Sequence, residues 1–329
     1  MLESTPISEM QKFHFGGKIH YADGEEGTLV YAIFDPATLC LTHMGVKASR
    51  LFGRVTELPY RVTDSATADG VLINATKEDI EESAPTNGVK LDNKSTVERA
   101  GFSDKGLLRT VAVHPQTGEL AYIIAEHLKS AHAVMISRNY LTSVGDGKVT
   151  ITIPDAVLTA LPPFRSDKDL QKEVDSLLFD FTPLHVDMKG ISARVLDSVL
   201  YLDGNISSSL RSDIVQDQIS GMQGLLEVKN TLLGDDELAA DLAMALGRDE
   251  RTRDLPIGVY PRLGEVRLNG SVKTSQQKNA VGEIARTFPG VRAVYNDLEV
   301  KPDTDLLPIM ATTGNGKDIA PGKFVRHTK

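Results

Sequence analysis

The stretch that decides the fold of the C-terminal half is Leu200-Tyr201-Leu202-Asp203-Gly204-Asn205-Ile206, and it recurs 66 positions later as Val266-Arg267-Leu268-Asn269-Gly270-Ser271-Val272. Apolar and polar residues alternate in both copies, which is typical of a strand with one buried face. A glycine inside such a strand, here Gly204 or Gly270, predicts a bulge or a close approach of another backbone segment. The shift holds without gaps over about forty residues, so the sequence predicts two copies of one structural unit.

Each copy continues into a helix and a last strand, and a further amphipathic helix precedes it. In the second copy Thr274 or Ser275 caps the helix, and Pro289-Gly290 ends it. The predicted unit is therefore helix–strand–strand–helix–strand. We assign the first unit to residues 167–233 and the second to residues 234–302.

These two units resemble the BON domain, a family of small α/β modules that often occur in tandem in bacterial proteins. Besides the strand glycines, the resemblance rests on the closing segments Gly224-Leu225-Leu226-Glu227-Val228-Lys229-Asn230 and Gly290-Val291-Arg292-Ala293-Val294-Tyr295-Asn296. The family is associated with phospholipid surfaces, the cell envelope and stress, and some of its members sense ions. The resemblance implies a non-catalytic module. Many relatives are exported, whereas this sequence opens without a recognisable signal peptide.

The N-terminal half also repeats, with a shift of 79 positions. Gly27 and Asp35-Pro36 in the first copy correspond to Gly106 and His114-Pro115 in the second. Each copy alternates short apolar strands with turn residues, which is typical of β-hairpins. A polar segment between the copies has the composition of a linker. We assign the first copy, the linker and the second copy to residues 12–85, 86–105 and 106–163.

Both copies resemble the PRC-barrel, a small β-barrel family found in the H subunit of photosynthetic reaction centres and in a ribosome-maturation factor. The matching motifs are Asp23-Gly24-Glu25-Glu26-Gly27, Asp35-Pro36-Ala37-Thr38, Asp69-Gly70-Val71-Leu72-Ile73-Asn74 and, in the second copy, Asp146-Gly147-Lys148-Val149. The resemblance implies a docking and assembly module without catalytic residues. The sequence leaves open whether the two copies form one barrel or two.

The predicted fold class is mixed and multidomain, with two small β-barrel units followed by two α/β units. Six glycines at repeated positions are predicted to have structural roles: Gly27, Gly106, Gly204, Gly270, Gly224 and Gly290. Residues 303–329 follow the last unit as a C-terminal tail. An apolar cluster has no reason to persist in a solvated tail, so we expect it to dock on another subunit or a partner through Leu306, Leu307 and Ile309.

Composition argues against several classes of function. Of the 329 residues, 41% are hydrophobic and 25% are charged, as in ordinary soluble proteins. The formal net charge of −9 makes nucleic acid an unexpected partner. Cys40 is the single cysteine, which excludes an internal disulfide and a cysteine-rich zinc site. No metal-binding histidine motif, phosphate-binding loop or nucleophile elbow occurs, so we predict no catalytic residues, no cofactor and no metal site.

The same sequence predicts a cytoplasmic protein, either free or peripheral to the membrane, since no signal peptide or membrane-spanning apolar run is visible. Two functional hypotheses remain. The first is a non-catalytic scaffold or adaptor that binds protein partners, a membrane surface or further copies of itself. The alternative is a sensor of a small molecule or an ion such as potassium, with its site at a repeat junction. The absence of a convergent acid, base and nucleophile favours the first hypothesis.

Overall fold

The computed structural model describes residues 5–48, 54–76, 88–129 and 132–302. Within these ranges the protein is a mixed α/β chain with four separate sheets and five α-helices. Its internal contacts divide it into two compact units. The first consists of Met1–Lys172, Val195–Leu200 and Met222–Glu227, and the second of Glu173–Arg194, Tyr201–Gly221 and Val228–Lys329.

The N-terminal half contributes seven described strands from each repeat. The strands of the first repeat are β1 (Gln11–His14), β2 (Lys18–His20), β3 (Glu26–Phe34), β4 (Leu41–Ala48), β5 (Val55–Pro59), β6 (Thr63–Thr67) and β7 (Gly70–Ile73). Those of the second repeat are β8 (Val89–Asp92), β9 (Thr96–Arg99), β10 (Lys105–Val113), β11 (Leu120–Glu126), β12 (Val134–Ser137), β13 (Leu141–Gly145) and β14 (Lys148–Ile151). A short helix, α1 (Asp155–Ala160), follows them.

The two repeats exchange their first strands. One sheet has the order β5-β4-β3-β2-β7-β6, and β8 from the second repeat pairs with its β3. The other has the order β12-β11-β10-β9-β14-β13, and β1 from the first repeat pairs with its β10. In these pairings Leu91 lies opposite Ala32, and Phe13 lies opposite Val111. Phe13 and Leu91 are fully buried in one hydrophobic core that both sheets share.

The exchange corrects the expectation that residues 86–105 form a linker. That segment contains β8 and β9 and the first residue of β10. Its buried apolar residues, such as Leu91 and Val97, are few and stand between polar residues in the sequence. The composition therefore resembled a linker, although the segment supplies one strand to each sheet.

The C-terminal half contains two α/β repeats with the predicted order of elements. The first has α2 (Asp167–Asp180), β15 (Ile191–Leu196), β16 (Val199–Ile206), α3 (Ser209–Ser220), β17 (Glu227–Asn230) and β18 (Leu233–Gly234). The second has α4 (Asp235–Arg248), β19 (Ile257–Arg262), β20 (Glu265–Val272), α5 (Ser275–Thr287), β21 (Ala293–Asn296) and β22 (Glu299–Val300). The sheets have the orders β15-β16-β17 and β19-β20-β21, and each two-residue last strand pairs with the central strand.

The second α/β repeat shows how its sequence produces these elements. Thr274 caps α5 in a capping box, since its side chain accepts a hydrogen bond from the Gln277 amide at 3.2 Å. Helix α4 places Leu238, Leu242 and Leu246 on one buried face. That face packs in a core with the alternating residues of β20. None of the described helices is both long and apolar enough to cross a membrane.

Candidate functional site

A carboxylate holds the hairpin turn of the first α/β repeat. Asp167, at the start of α2, accepts hydrogen bonds from the backbone amides of Asp197 at 2.7 Å and Ser198 at 2.8 Å. Both turn residues have left-handed backbone conformations, with φ of 52° for Asp197 and 61° for Ser198. Such a turn between strands that twist together is favoured in hairpins, and aspartate tolerates the conformation better than most residues. The carboxylate therefore fixes a turn that few sequences adopt readily.

The second α/β repeat contains the same arrangement 66 to 68 positions later. Asp235, at the start of α4, accepts hydrogen bonds from the amides of Leu263 at 2.8 Å and Gly264 at 3.2 Å. Burial raises the pKa of the Asp235 carboxyl group, and these two backbone hydrogen bonds oppose that shift. The hydrogen bonds of Asp235 to the turn were not predicted from the sequence. A carboxylate at the same position of both repeats was the available signal.

The hairpin turn of the first α/β repeat contacts both seven-stranded sheets within the first compact unit. The Oδ1 atom of Asp197 lies 2.6 Å from Nε2 of His14 on β1, a strand of the second sheet. Its Oδ2 atom accepts a hydrogen bond of 2.9 Å from the Ala68 amide, between β6 and β7 of the first sheet. Nδ1 of His14 lies 3.2 Å from the hydroxyl of Thr110 on β10. The side chain of Asp197 is only 5% exposed, so these contacts replace its hydration.

A buried lysine lies on the same short strand. Lys12 is 2% exposed, and burial lowers its pKa while the charges of Asp197, Glu227 and Asp167 oppose that change. Glu227 is itself held by Ser8, whose amide and hydroxyl each donate a hydrogen bond of 2.8 Å to its carboxylate. Strand β1 therefore places a buried amine under the influence of three carboxylates.

The second turn lies against the first α/β repeat, within the second compact unit. A Cβ atom added to Gly190 would lie 3.3 Å from Cβ of Leu263, and one added to Gly264 would overlap the side chain of Asn205. The Nδ2 atom of Asn205 donates a hydrogen bond of 3.0 Å to the carbonyl oxygen of Gly290. Each α/β repeat thus places its hairpin turn on the module that precedes it.

Two of the predicted structural glycines mark a close backbone approach. Gly204 has φ of 112°, and a Cβ atom there would overlap the carbonyl oxygen of Gly190. Gly270 has φ of 139°, and a Cβ atom there would overlap the carbonyl oxygen of Pro256. L-residues rarely adopt these conformations, so both positions combine backbone strain with steric exclusion.

The other four glycines also lie at crowded positions. A Cβ atom on Gly27 would lie 2.7 Å from Cγ1 of Val46, and one on Gly106 would lie 2.5 Å from the Glu126 carbonyl oxygen. In the α/β repeats, the atoms nearest to such a Cβ belong to Arg165 at Gly224 and to Leu233 at Gly290. The predicted docking residues Leu306, Leu307 and Ile309 lie outside the described residues.

An apolar groove lies between α2 and α3 of the first α/β repeat. Its volume is about 190 Å³, and its lining consists of Leu177, Leu178, Asp180, Phe181, Leu184, Val215, Gln218 and Ile219. We call these eight residues the repeat 1 groove. Leu177 is 41% exposed at the groove, and the neighbouring Phe179 is 69% exposed. The sequence did not reveal the groove, because helical spacing does not show which residues of an amphipathic helix stay uncovered.

The second α/β repeat differs from the first at several positions of this groove. Helices α2 and α4 begin at Asp167 and Asp235, so a shift of 68 positions relates them. The counterparts of Leu177, Asp180 and Phe181 are Ala245, Arg248 and Asp249. Asp249 forms an ion pair of 2.8 Å with Arg251, which lowers its pKa to about 2. The second repeat therefore places charged residues where the first has Asp180 and the apolar Phe181.

The described residues contain no group of three or more His, Cys, Asp or Glu side chains placed to hold a metal ion. Cys40 is half-buried next to β4, where it forms an isolated bridge with Glu119. Burial raises the pKa of the Tyr60 hydroxyl to about 12, and that hydroxyl donates to the carbonyl oxygen of Pro115 at 3.0 Å. These groups take part in packing between the two sheets.

Comparison with known proteins identifies a BON domain at residues 234–302. This confirms the resemblance for the second α/β repeat. The chain is 22% identical over 160 residues to osmotically-inducible protein Y of Escherichia coli strain K12, covering 45% of this chain and 79% of that protein.

Two solved structures of CdsD, a structural protein of the type III secretion system of Chlamydia trachomatis, are also similar. The first has a TM-score of 0.34 and 14% identity, and the match covers 40% of this chain and 61% of that one. The second, of the C-terminal domain, has a TM-score of 0.35 and 20% identity, and the match covers 42% of this chain and 68% of that one.

Proposed function

We propose that this protein is a non-catalytic scaffold or adaptor that presents the first α/β repeat to a partner protein. The observation that carries the proposal is the distribution of exposed apolar side chains. Among the described residues thirteen large apolar side chains are exposed, and six of them lie between positions 177 and 214: Leu177, Phe179, Val186, Met188, Leu210 and Ile214. Exposed apolar side chains concentrated in one region mark interaction surfaces more often than they mark catalytic sites.

The use of the buried polar groups supports the same function. His14, Asp197 and Asp167 bind one another or backbone amides within the first compact unit. Asp235 and Asn205 do so within the second. Groups engaged in such contacts hold the modules in position, which is a structural role. The BON domain at 234–302 is consistent with a binding module.

We also infer the module assignment for the rest of the chain. The shared element order and the 66-residue shift support a second BON-like repeat at 167–233. The repeated strands of the N-terminal half support two PRC-barrel-like repeats, at 12–85 and in the segment that ends at 163. The strand exchange supports one assembly of both repeats over two independent barrels, because each sheet takes its partner's first strand.

Photo-crosslinking in the cells of origin tests the proposed function. A benzoylphenylalanine at position 179, which is 69% exposed, is compared with one at position 244, where Met244 is 50% exposed on α4. We expect a discrete protein adduct from position 179 that position 244 does not give. The purified partner should then bind the full chain in isothermal titration calorimetry. If neither position yields a protein that binds the purified chain, the scaffold proposal is wrong.

A further inference from the structure

We infer that the repeat 1 groove receives an apolar side chain from a basic segment of a partner protein, in which Lys or Arg residues flank the apolar anchor. The inference rests on the proposed function and adds the chemistry of the partner. It follows from the size of the groove, from the charge around it and from the contrast with the second repeat.

The size of the groove suits a side chain. Its floor contains the buried Leu178, Leu184, Val215 and Ile219, and the exposed Leu177 forms part of its wall. Its volume of about 190 Å³ is below the roughly 300 Å³ at which small-molecule sites begin. A leucine or phenylalanine side chain can enter and displace water from the apolar lining. A groove between two helices is a common receptor for an amphipathic partner segment.

The charge around the groove selects a basic partner. Asp180 is exposed and belongs to the lining. From Glu173 to its end, α2 carries three acidic residues, Glu173, Asp175 and Asp180, and no basic residue. On α3, Asp213 and Asp217 are exposed, while Arg211 is paired with the buried Asp187 at 2.8 Å. Complementary charge attracts Lys and Arg and repels acidic segments and anionic lipid headgroups.

The second α/β repeat shows that the fold does not require this surface. Arg248 stands in place of Asp180, and the ion-paired Asp249 stands in place of Phe181. The second repeat therefore places charged residues of other kinds at these two positions. Since both repeats fold with the same elements, Asp180 and Phe181 are not needed for folding alone.

Peptide binding by the full-length protein tests the inference. The probe is a fluorescein-labelled helical peptide with Leu at positions i, i+3, i+4 and i+7 and Lys elsewhere, and its counterpart has Glu in place of each Lys. We expect the Lys peptide to bind at least about tenfold more tightly than the Glu peptide, by fluorescence anisotropy, with an affinity that falls as salt is added.

Matched variants locate the binding site. Leu177→Gln removes exposed apolar wall and Asp180→Lys reverses the rim charge, and each should weaken the Lys peptide about fivefold or more. Met244→Gln and Glu250→Lys make the same changes at exposed positions of the second repeat and should leave binding within about twofold. Circular dichroism melting of all four variants shows that they fold.

Each of the following outcomes would overturn the inference. The groove and control variants could bind alike, or the Glu peptide could bind as tightly as the Lys peptide. Alternatively, the occupant could be different. Anionic vesicles that bind wild-type but not Leu177→Gln would assign the groove to lipid, and a dimer that Leu177→Gln dissociates would assign it to a second copy. If a crosslinked partner binds wild-type and Leu177→Gln equally, the scaffold function stands and the groove inference fails.

Discussion

The Oδ1 atom of Asp197 lies 2.6 Å from Nε2 of His14, although 183 positions separate the two residues in the chain. This contact joins the hairpin turn of the first α/β repeat to strand β1. Since β1 also completes the sheet of the second N-terminal repeat, one carboxylate links elements from three repeats of the chain. The first, second and fourth predictions below concern these links.

Replacing Asp197 by asparagine is expected to destabilise the protein by about 1–3 kcal/mol. Asparagine keeps the size of the side chain and tolerates the left-handed backbone, so the change removes mainly the charge that faces His14 and Lys12. Urea unfolding measures the loss. Asp213→Asn, at an exposed position of α3, is the control and should change stability by less than about 0.5 kcal/mol. Equal effects of the two changes would mean that the junction contributes nothing.

Cutting the chain between the two N-terminal repeats is expected to leave the fragments associated. A protease site inserted at residues 80–84, which lie outside the described residues, separates β1–β7 from β8–β14. Because each fragment supplies a strand to the other's sheet, the fragments should co-elute in gel filtration and separate only in denaturant. Separate elution of two folded fragments under native conditions would rule out the exchange of β1 and β8.

Gly270→Val is expected to destabilise the second α/β repeat by about 1–3 kcal/mol. Valine strongly disfavours φ of 139°, and its Cβ atom would overlap the Pro256 carbonyl oxygen. Gly247→Ala in α4 is the matched control, since no atom lies within 4 Å of a Cβ there. Alanine should stabilise that helix by a few tenths of a kcal/mol up to about 1 kcal/mol. Calorimetric melting measures the stability of both variants. An unchanged melting profile for Gly270→Val would contradict the close approach of the two backbone segments.

Lys12 is expected to make stability depend on pH. Burial lowers its pKa from the ordinary value of 10.5, so the folded state binds fewer protons at this position than the unfolded state. The contribution of Lys12 to stability therefore rises with pH from its folded pKa up to about 10.5. As the pH is raised toward about 10.5, wild-type should gain stability relative to Lys12→Met in urea unfolding. Lys94→Met changes an exposed lysine, and its stability should depend on pH as that of wild-type does. If the stability of Lys12→Met also followed the pH dependence of wild-type, the prediction would be wrong.

Repetition allowed the sequence to predict part of the fold. A gap-free shift of 66 positions fixed the element order of the α/β repeats and singled out Gly204 and Gly270. The strand exchange could not be predicted, because β1 and β8 occupy equivalent positions in their repeats and fit either sheet by pattern. Pairing depends on which strand the connecting chain brings near, and a repeat pattern carries no such information.

The groove could not be predicted from the sequence either, for a different reason. Leu177 and Phe181 are four positions apart, a spacing that suits one buried helix face. Leu238 and Leu242 on α4 have the same spacing. Whether such a face is covered depends on the residues that pack on it, and those come from distant elements. The contrast between Phe181 and Asp249 was visible in the aligned repeats, and it is the signal that comparison of the copies could have used.

The most direct test of the account is the affinity of the full chain for the protein that crosslinks to position 179. Isothermal titration calorimetry compares wild-type with Leu177→Gln and with the control Met244→Gln, both at exposed apolar helix positions. The account predicts that Leu177→Gln weakens binding about fivefold or more, while Met244→Gln stays within about twofold of wild-type. Equal affinities for all three proteins would contradict the assignment of the partner to the groove, and no measurable binding to wild-type would contradict the scaffold proposal as well.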